Sequence, residues 1–473
     1  MMNSLLGKAP ALFVLEAAIL TLWLNQQHFS FLYCIGASFI IIVLELAVVE
    51  ERWTKNKMAL SALILTASLV VSAKLVYNLN KNDVLPSVVT GSFTVINRRA
   101  WGDNSLLTVK DDQGRRWITA ARGDLAAAQE GDRYSFTSTV RTLKAESRRS
   151  AFSPKKFWRA RGILGELRDV RSLSSLPSFF SVYTVRRYLR ARIRSLPSAS
   201  RALTSAVLLG DRETNISEDF RRWGISHFLA VSGWHVSFTV ILAVIVAGKR
   251  RAGLLTASCF LWLYCLISGG AASAIRAAVM LQLALLGLFC GMGTAALNAV
   301  GLAGVFMLLW EPWVFYDLGW QMSVQAAALA IVLQRFKSVT LLLLSSAFMW
   351  VIMSPQTAPM AGGIYFSSLP INMMATSLFS FILVFMIVLS VFGLLCPFLI
   401  PIFTQMGEQI FKLWAVAADQ WCVWLPQALP VGMFPAWMCG GLFFLLLGLS
   451  LRIKTWRALA FSFLGCVLFN VFV

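Results

Sequence analysis

The stretch ISHFLAVSGWHVSF, residues 225–238, sets His227, Ser232, Gly233 and His235 into otherwise apolar sequence, in a chain with only three histidines. Ser232 and His235 lie one helical turn apart and have the types of a nucleophile and its base. No carboxylate in the segment orients the imidazole, and Asp211 and Asp219 stand upstream of it. A membrane-embedded hydrolase on Ser232/His235 therefore remains an alternative, without a complete triad. Two histidines without a neighbouring carboxylate or cysteine do not complete a metal site, so no metal is predicted. A third chemistry needs neither. Imidazole and hydroxyl groups in a low-dielectric layer offer hydrogen bonds to an anion, and an imidazole becomes cationic in mild acid.

Further polar groups recur in apolar surroundings. Arg276 stands among small residues in SGGAASAIRAAVMLQLALL. Asp317, Gln321 and Gln325 fall at i, i+4 and i+8 in EPWVFYDLGWQMSVQAAALAIVLQRFK, a polar stripe on one helix face. Asn372 closes the Pro/Gly-broken run SPQTAPMAGGIYFSSLPINMM, a backbone tolerated in apolar sequence where it lines a cavity. Singly, each group also serves as glue between packed helices. Jointly they predict a polar vestibule in the outer half of a membrane, opening outward. With 224–248 read as one span entering from outside, His235 lies about 12 Å deeper than His227 at roughly 1.5 Å per residue.

The elements that must position these groups are mostly apolar. Hydrophobic residues make up 58% of the chain, and 42 Lys and Arg against 22 Asp and Glu give a net charge of +20. That excess predicts an anionic partner: lipid headgroups, nucleic acid, or both. Apolar runs at about 9–24, 29–49 and 58–79 have the ~20-residue length of spans. The loop EERWTKNK keeps Arg52, Lys55 and Lys57 inside, which puts residue 80 outside. From residue 225 the chain is apolar again, with about eight to ten spans. Basic clusters at 248–251, 334–337 and 452–457 are read as inside. The weakest part is 396–430. There CPFLIPIF is too short to span, and EQIFKLWAVAADQWCVWL is amphipathic enough to lie at an interface or line a cavity. All eight cysteines lie in or beside apolar runs without CxxC spacing, so they read as small buried hydrophobes. No phosphate-binding loop and no HExxH motif occurs. No cofactor and no catalytic residue is predicted, and the chain is read as a non-enzyme.

Between these helices, residues 85–175 are polar, with strand-like runs SVVTGSFTVINRR, NSLLTVKDDQG, RRWITAAR, RYSFTSTVRTL and GILGELRDV. Five short strands in so few residues predict a small barrel, with the OB-fold a natural candidate. Its basic run Arg141, Lys144, Arg148, Arg149, Lys155, Lys156, Arg159 and Arg161 predicts a phosphate-binding surface, and Trp101, Trp117, Phe157 and Trp158 lie between its charges. Trp117, inside a strand, is read as barrel core. SVYTVRRYLRARIRSLP, residues 181–197, predicts a basic amphipathic helix that lies on the outer leaflet or presents Arg186, Arg187 and Arg190 to DNA. The fold class is thus a polytopic α-helical membrane protein with an inserted OB-like extracytoplasmic β-barrel. Its parts are 1–84 (membrane helices), 85–175 (barrel), 176–224 (basic helix and linker) and 225–473 (membrane domain).

AVLLGDRETNISEDFRRWGISHFLAVSGWHVSF resembles the signature of ComEC-type competence proteins, a "LLGD" stretch followed by "GisHLLAISGLHV". It departs at Phe228, Val231 and Trp234, all apolar exchanges, of which Trp234 is bulky enough to narrow a pore. ASAIRAAVM looks like the family's small-residue and arginine segment, and PINMM like its asparagine helix start. EPWVFYDLGWQMSVQAA is similar to its polar-stripe helix, with Glu311 where asparagine is usual. AFSPKKFWRARGILGELRDV is similar to the close of its OB-like domain. The resemblance implies an inner-membrane channel that passes single-stranded DNA into the bacterial cytoplasm during natural transformation. Its partners would be DNA and membrane lipids, with a DNA receptor, a separate nuclease and a cytoplasmic motor or single-strand-binding protein, and oligomers are compatible with it. A transporter of another anion is the other alternative. Many members continue into a metallo-β-lactamase-like domain, whose HxHxDH motif is missing here.

Overall fold

The structure, a computed structural model, describes residues 9–27, 29–49, 54–80, 85–101, 104–143, 153–211, 213–229, 231, 233–248, 250, 251–290, 295–334, 336, 345–361, 363–376, 380–395, 400–425, 428–429, 436–450, 458–460, 462 and 466. The chain forms two compact units. A helical unit comprises Met1–Asn78, Leu196–Trp310 and Leu318–Val473. A barrel unit comprises Leu79–Ser195 together with Glu311–Asp317.

Three helices open the chain: α1 (Pro10–Gln26), α2 (Phe31–Val49) and α3 (Lys55–Asn80). They coincide with the three predicted apolar runs. A polar seam joins them: Thr21 Oγ1 and Ser38 Oγ lie 2.8 Å apart, and Thr21 donates to Ser72 Oγ at 3.0 Å. Hydroxyls buried among apolar side chains pair with one another because nothing else satisfies them.

The barrel unit follows with β1 (Val88–Trp101), β2 (Asn104–Asp111), β3 (Arg116–Ala120), β4 (Arg133–Arg141), α4 (Pro154–Arg159), β5 (Ile163–Leu176) and α5 (Val182–Ile193). The strands close in the order β1-β2-β3-β5-β4, with β3 and β5 parallel and β4 returning to β1. Closure removes exposed edges. Alternation sends Val89, Phe93, Val95, Leu107, Val109, Trp117, Phe136 and Leu167 inward. Phe93 and Phe136 stack at 4.1 Å. Trp117 is fully buried, as its strand position predicts. The DDQG turn is organised by Asp111, whose carboxylate accepts from Gln113 N, Arg115 N, Arg115 Nε and Trp117 Nε1. Burial alone would raise the Asp111 pKa, but the bonds from Arg115 and Trp117 outweigh it and hold it below the ordinary value.

The helical unit resumes with α6 (Ser198–Thr204), α7 (Thr214–Arg222), α8 (Gly233–Ala247), α9 (Arg251–Ile267), α10 (Ala272–Phe289), α11 (Ala296–Trp310), α12 (Leu318–Gln334) and α13 (Ser345–Ala361). A two-residue strand β6 (Ile364–Tyr365), α14 (Ser368–Met374), α15 (Ser380–Leu395), α16 (Ile400–Trp424), β7 (Ala428–Leu429) and α17 (Ala436–Ser450) complete it. The ambiguous 396–430 region is largely one long helix, α16, whose Phe411, Trp414 and Ala418 join the core. Among the described residues one helix, Lys55–Asn80, is long and apolar enough to cross a membrane, and nine shorter apolar helices accompany it.

Candidate functional site

In the helical unit, the histidine segment is held by contacts far apart in sequence. The turn Ser205–Leu209 ends at Gly210, whose φ of 71° is left-handed. A Cβ there would lie 2.6 Å from the Ser268 carbonyl oxygen. Gly224 repeats the arrangement at φ 72°, with the Ser368 side chain where its Cβ would go. Only glycine combines that backbone with that proximity. Asn372 Nδ2 then donates to the carbonyls of Gly224 at 3.4 Å and Ser368 at 2.6 Å, so this predicted site residue does reach the histidine loop. Trp223 Nε1 donates to Asp419 Oδ1 at 2.8 Å, and Ile225 and Leu229 pack with Ile371, Phe411 and Trp414.

The continuous span predicted for 224–248 is corrected. His227 sits in a 3-10 turn, Ser226–Leu229, and α8 begins only at Gly233. The two histidines therefore belong to separate elements, and a depth difference counted along one helix does not apply. Gly210, Gly224 and the tertiary contacts above dictate the break. Ser232 lies outside the described residues. Ser273 Oγ, at the start of α10, donates to Val231 O at 2.8 Å and ties α10 to the loop. His235 is buried, and Gly233 faces Ala277 of α10, the neighbour of Arg276. His227 differs: its side chain is exposed.

Arg276 is 3% exposed, and its Nε and Nη1 have no hydrogen-bond partner among the described residues. Gln325 on α12 is also buried, and neither amide atom has a partner among the described residues. Gln356 on α13 is in the same condition. It was missed in the sequence, where a lone glutamine between Pro355 and Thr357 reads as part of a broken backbone. α10 packs on α12 and α12 on α13, so these side chains lie on successive neighbours. Gln321 is half-buried. Asp317 is a correction. The chain is extended there, α12 starts one residue later, and its carboxylate pairs with Arg161 at 3.3 Å inside the barrel unit. It leaves the predicted Gln321–Gln325 stripe.

In the barrel unit the predicted basic surface divides. Lys144, Arg148 and Arg149 lie outside the described residues. Arg141 ends β4, half-buried. On and beside α4, cations stack on aromatic rings, three of them on the 311–317 segment. Lys155 and Arg159 lie over Trp313 at 5.7 and 5.2 Å, and Lys156 over Tyr316 at 4.8 Å. Arg161 covers Phe157 at 3.7 Å. Burial lowers the Lys156 pKa and raises that of Glu311. Trp158 is buried and Phe157 half-buried, so neither is a free stacking platform. The helix α5 exists as predicted, but Arg186 is corrected. It is 3% exposed and bonds Glu130 Oε2 at 3.0 Å, so it faces neither lipid nor DNA. Arg190 takes the other Glu130 oxygen at 3.1 Å, and Arg187 takes Asp132 at 2.7 Å. A cavity of about 500 Å³ remains, lined by Arg98, Arg187, Arg190 and Arg194 against Glu130. Arg194 belongs to the predicted basic helix, but Arg98 was not singled out in the sequence, because β1 and the end of α5 meet only in the fold. Among the described residues no three His, Cys, Asp or Glu side chains cluster as a metal site.

No solved structure matches this chain. ComE operon protein 3 of Bacillus subtilis (strain 168) is 25% identical over 242 residues, which cover 47% of this chain and 31% of that protein. The family described as "Competence protein" matches residues 207–456, more than half of the chain, from the Gly210 turn through α17. With the glycine-pinned histidine loop, Arg276 and Asn372 all inside that match, the chain belongs to the competence protein family.

Proposed function

We propose that this chain is a multi-pass protein of the bacterial inner membrane that acts in DNA uptake for competence, as a channel passing single-stranded DNA into the cytoplasm. The observation that carries the reading is the set of Arg276, Gln325 and Gln356, buried on helices that pack in succession, with side-chain polar atoms that have no hydrogen-bond partner among the described residues. Unpaired buried polar groups are costly, and one that persists implies a use. Phosphates crossing a low-dielectric layer need donors and compensating charge along their path, which a guanidinium and amides supply. His227, Gly233, His235, Gln321 and Asn372 line or support that path, and Ser232 serves it as a hydroxyl donor. The reading has no catalytic step and no cofactor.

Outward side chains on the apolar helices support membrane insertion. Ile245, Val246, Leu255, Leu288, Leu413 and Val416 are all exposed, the inverse of a water-facing surface. The charge pattern of the loops supports several crossings with the barrel outside. We read the barrel as OB-like, collecting single strands at the arginine-lined cavity of Arg98, Arg187, Arg190 and Arg194. A DNA receptor, a separate nuclease and a cytoplasmic motor or single-strand-binding protein would complete the machinery.

The test is uptake of labelled DNA by competent cells carrying Arg276→Gln, normalised to protein level. Loss of uptake at an unchanged level is expected, with Ser232→Ala impaired less and yielding no hydrolysed product. Normal uptake per molecule would remove Arg276 from the path, and a Ser232→Ala defect with a hydrolysed product would favour an enzyme. A cysteine at Ser178 should react with an impermeant thiol reagent in spheroplasts. Labelling only after lysis would invert the topology.

A further inference from the structure

The N-terminal helices carry a second polar feature, which the DNA path does not use. Glu16 on α1 and Glu45 on α2 stand in apolar runs, Glu45 fully buried and Glu16 half-buried. Their carboxyl groups meet. Yet Glu16 Oε2 and both Glu45 oxygens lack a hydrogen-bond partner among the described residues. An ionised carboxylate only accepts. Two facing carboxylates thus have no bond to make, and their charges repel strongly in apolar surroundings. One proton changes both conditions, because one oxygen becomes a donor and the pair carries a single charge.

The seam around them points to the same site. Ser38 and Glu45 are seven residues apart, hence on one face of α2, and Ser38 meets Thr21 of α1. Ser72 of α3 meets the same Thr21, and Ser68 lies one turn from Ser72 on the same face. By helical rise, Ser68 lies one turn below Ser72, at about the depth of Glu16 below Thr21. Ser68 is 4% exposed, and its hydroxyl has no partner among the described residues. The Thr21 layer is satisfied internally; the Glu16 layer is not. No described cation faces it. The Lys74 side chain is exposed, and Lys57 lies about 16 Å along α3 from Ser68 at roughly 1.5 Å per residue. α11, which packs on α1, has no ionisable side chain, and Tyr33 and Tyr77 are exposed.

We propose that Glu16 and Glu45 form a proton-binding pair that holds one shared proton at neutral pH, with the Ser68 hydroxyl as its third partner. This goes beyond the DNA-path reading and stands without it. Carboxyl groups of this kind inside apolar helices are the chemistry of proton relays.

The test is infrared spectroscopy of the full chain in detergent, stepped between about pH 6 and 8, where exposed carboxylates are ionised. The wild type should retain a carbonyl band equivalent to one protonated carboxyl per chain, shifted in heavy water. Glu45→Gln should lose that band, because the amide donates to Glu16 and lets it ionise. Glu16→Gln should do the same, and serves if Glu45→Gln does not fold. No band in the wild type, or an unchanged band in a folded variant, overturns the proposal. Thermal stabilisation of the wild type by sodium over choline at equal ionic strength, lost in the variants, would also overturn it in favour of a metal cation.

Discussion

The two units treat buried charge in opposite ways. In the barrel unit Glu130 and Arg186, both nearly inaccessible, bond each other, and Arg190 completes the carboxylate. Asp111 accepts four bonds at the hairpin turn. In the helical unit Arg276, Gln325 and Gln356 are buried with side-chain polar atoms that have no partner among the described residues. Glu130, Arg186 and Asp111 are structural, since a paired buried ion restores hydrogen bonds lost from water and orders what it touches. The helical unit's polar groups carry the desolvation cost without the return, as expected of groups held ready for something that passes or binds. Strain and instability concentrate where function needs them.

Breaking the barrel's pairing should have the largest effect. Glu130→Ala strands Arg186 and should cost about 3–5 kcal/mol in unfolding experiments followed by tryptophan fluorescence. Glu130→Leu with Arg186→Met should recover most of that loss. Gly224→Ala meets both a left-handed backbone and the Ser368 side chain, and should cost roughly 2–4 kcal/mol, read as loss of folded protein in detergent. Asp111→Asn should cost about 1–2 kcal/mol, because charge-assisted bonds weaken. Its pH dependence has a fixed sign. The folded pKa lies below the unfolded one, so the contribution is present above the unfolded value and disappears as pH falls through the folded value. A barrel whose stability is flat across that acid window would contradict it. The smallest stability change sharpens the comparison most. Gln325→Leu and Gln356→Leu should be neutral, or stabilising by up to about 1 kcal/mol, while DNA uptake per molecule falls. If both variants are destabilised instead, these glutamines are packing glue and the contrast between the units disappears.

Much of the scaffold was legible along the chain, because helices and strands announce themselves through local periodicity. Runs of apolar residues marked α1 to α3, and period-two alternation with the DDQG turn marked the barrel strands and put Trp117 inside. The family match also covers one contiguous stretch, with Gly210, Gly224, His227 and His235 inside it. Local pattern could not say which cations are spent on partners. Arg186 pairs with a glutamate 56 residues away and Arg161 with an aspartate 156 away. It counted Asp317 into a helix that begins one residue later, and ran His227 and His235 through a break pinned by Ser268 and Ser368. Gln356 and the Arg98–Arg194 cavity went unread for the same reason. Sequence by itself determined the type and order of elements, since propensity and hydrophobic period act over a few residues. Tertiary structure alone decided which polar groups are paired, buried or left open, since a charge in apolar surroundings is governed by whichever groups the fold brings within a few ångströms of it.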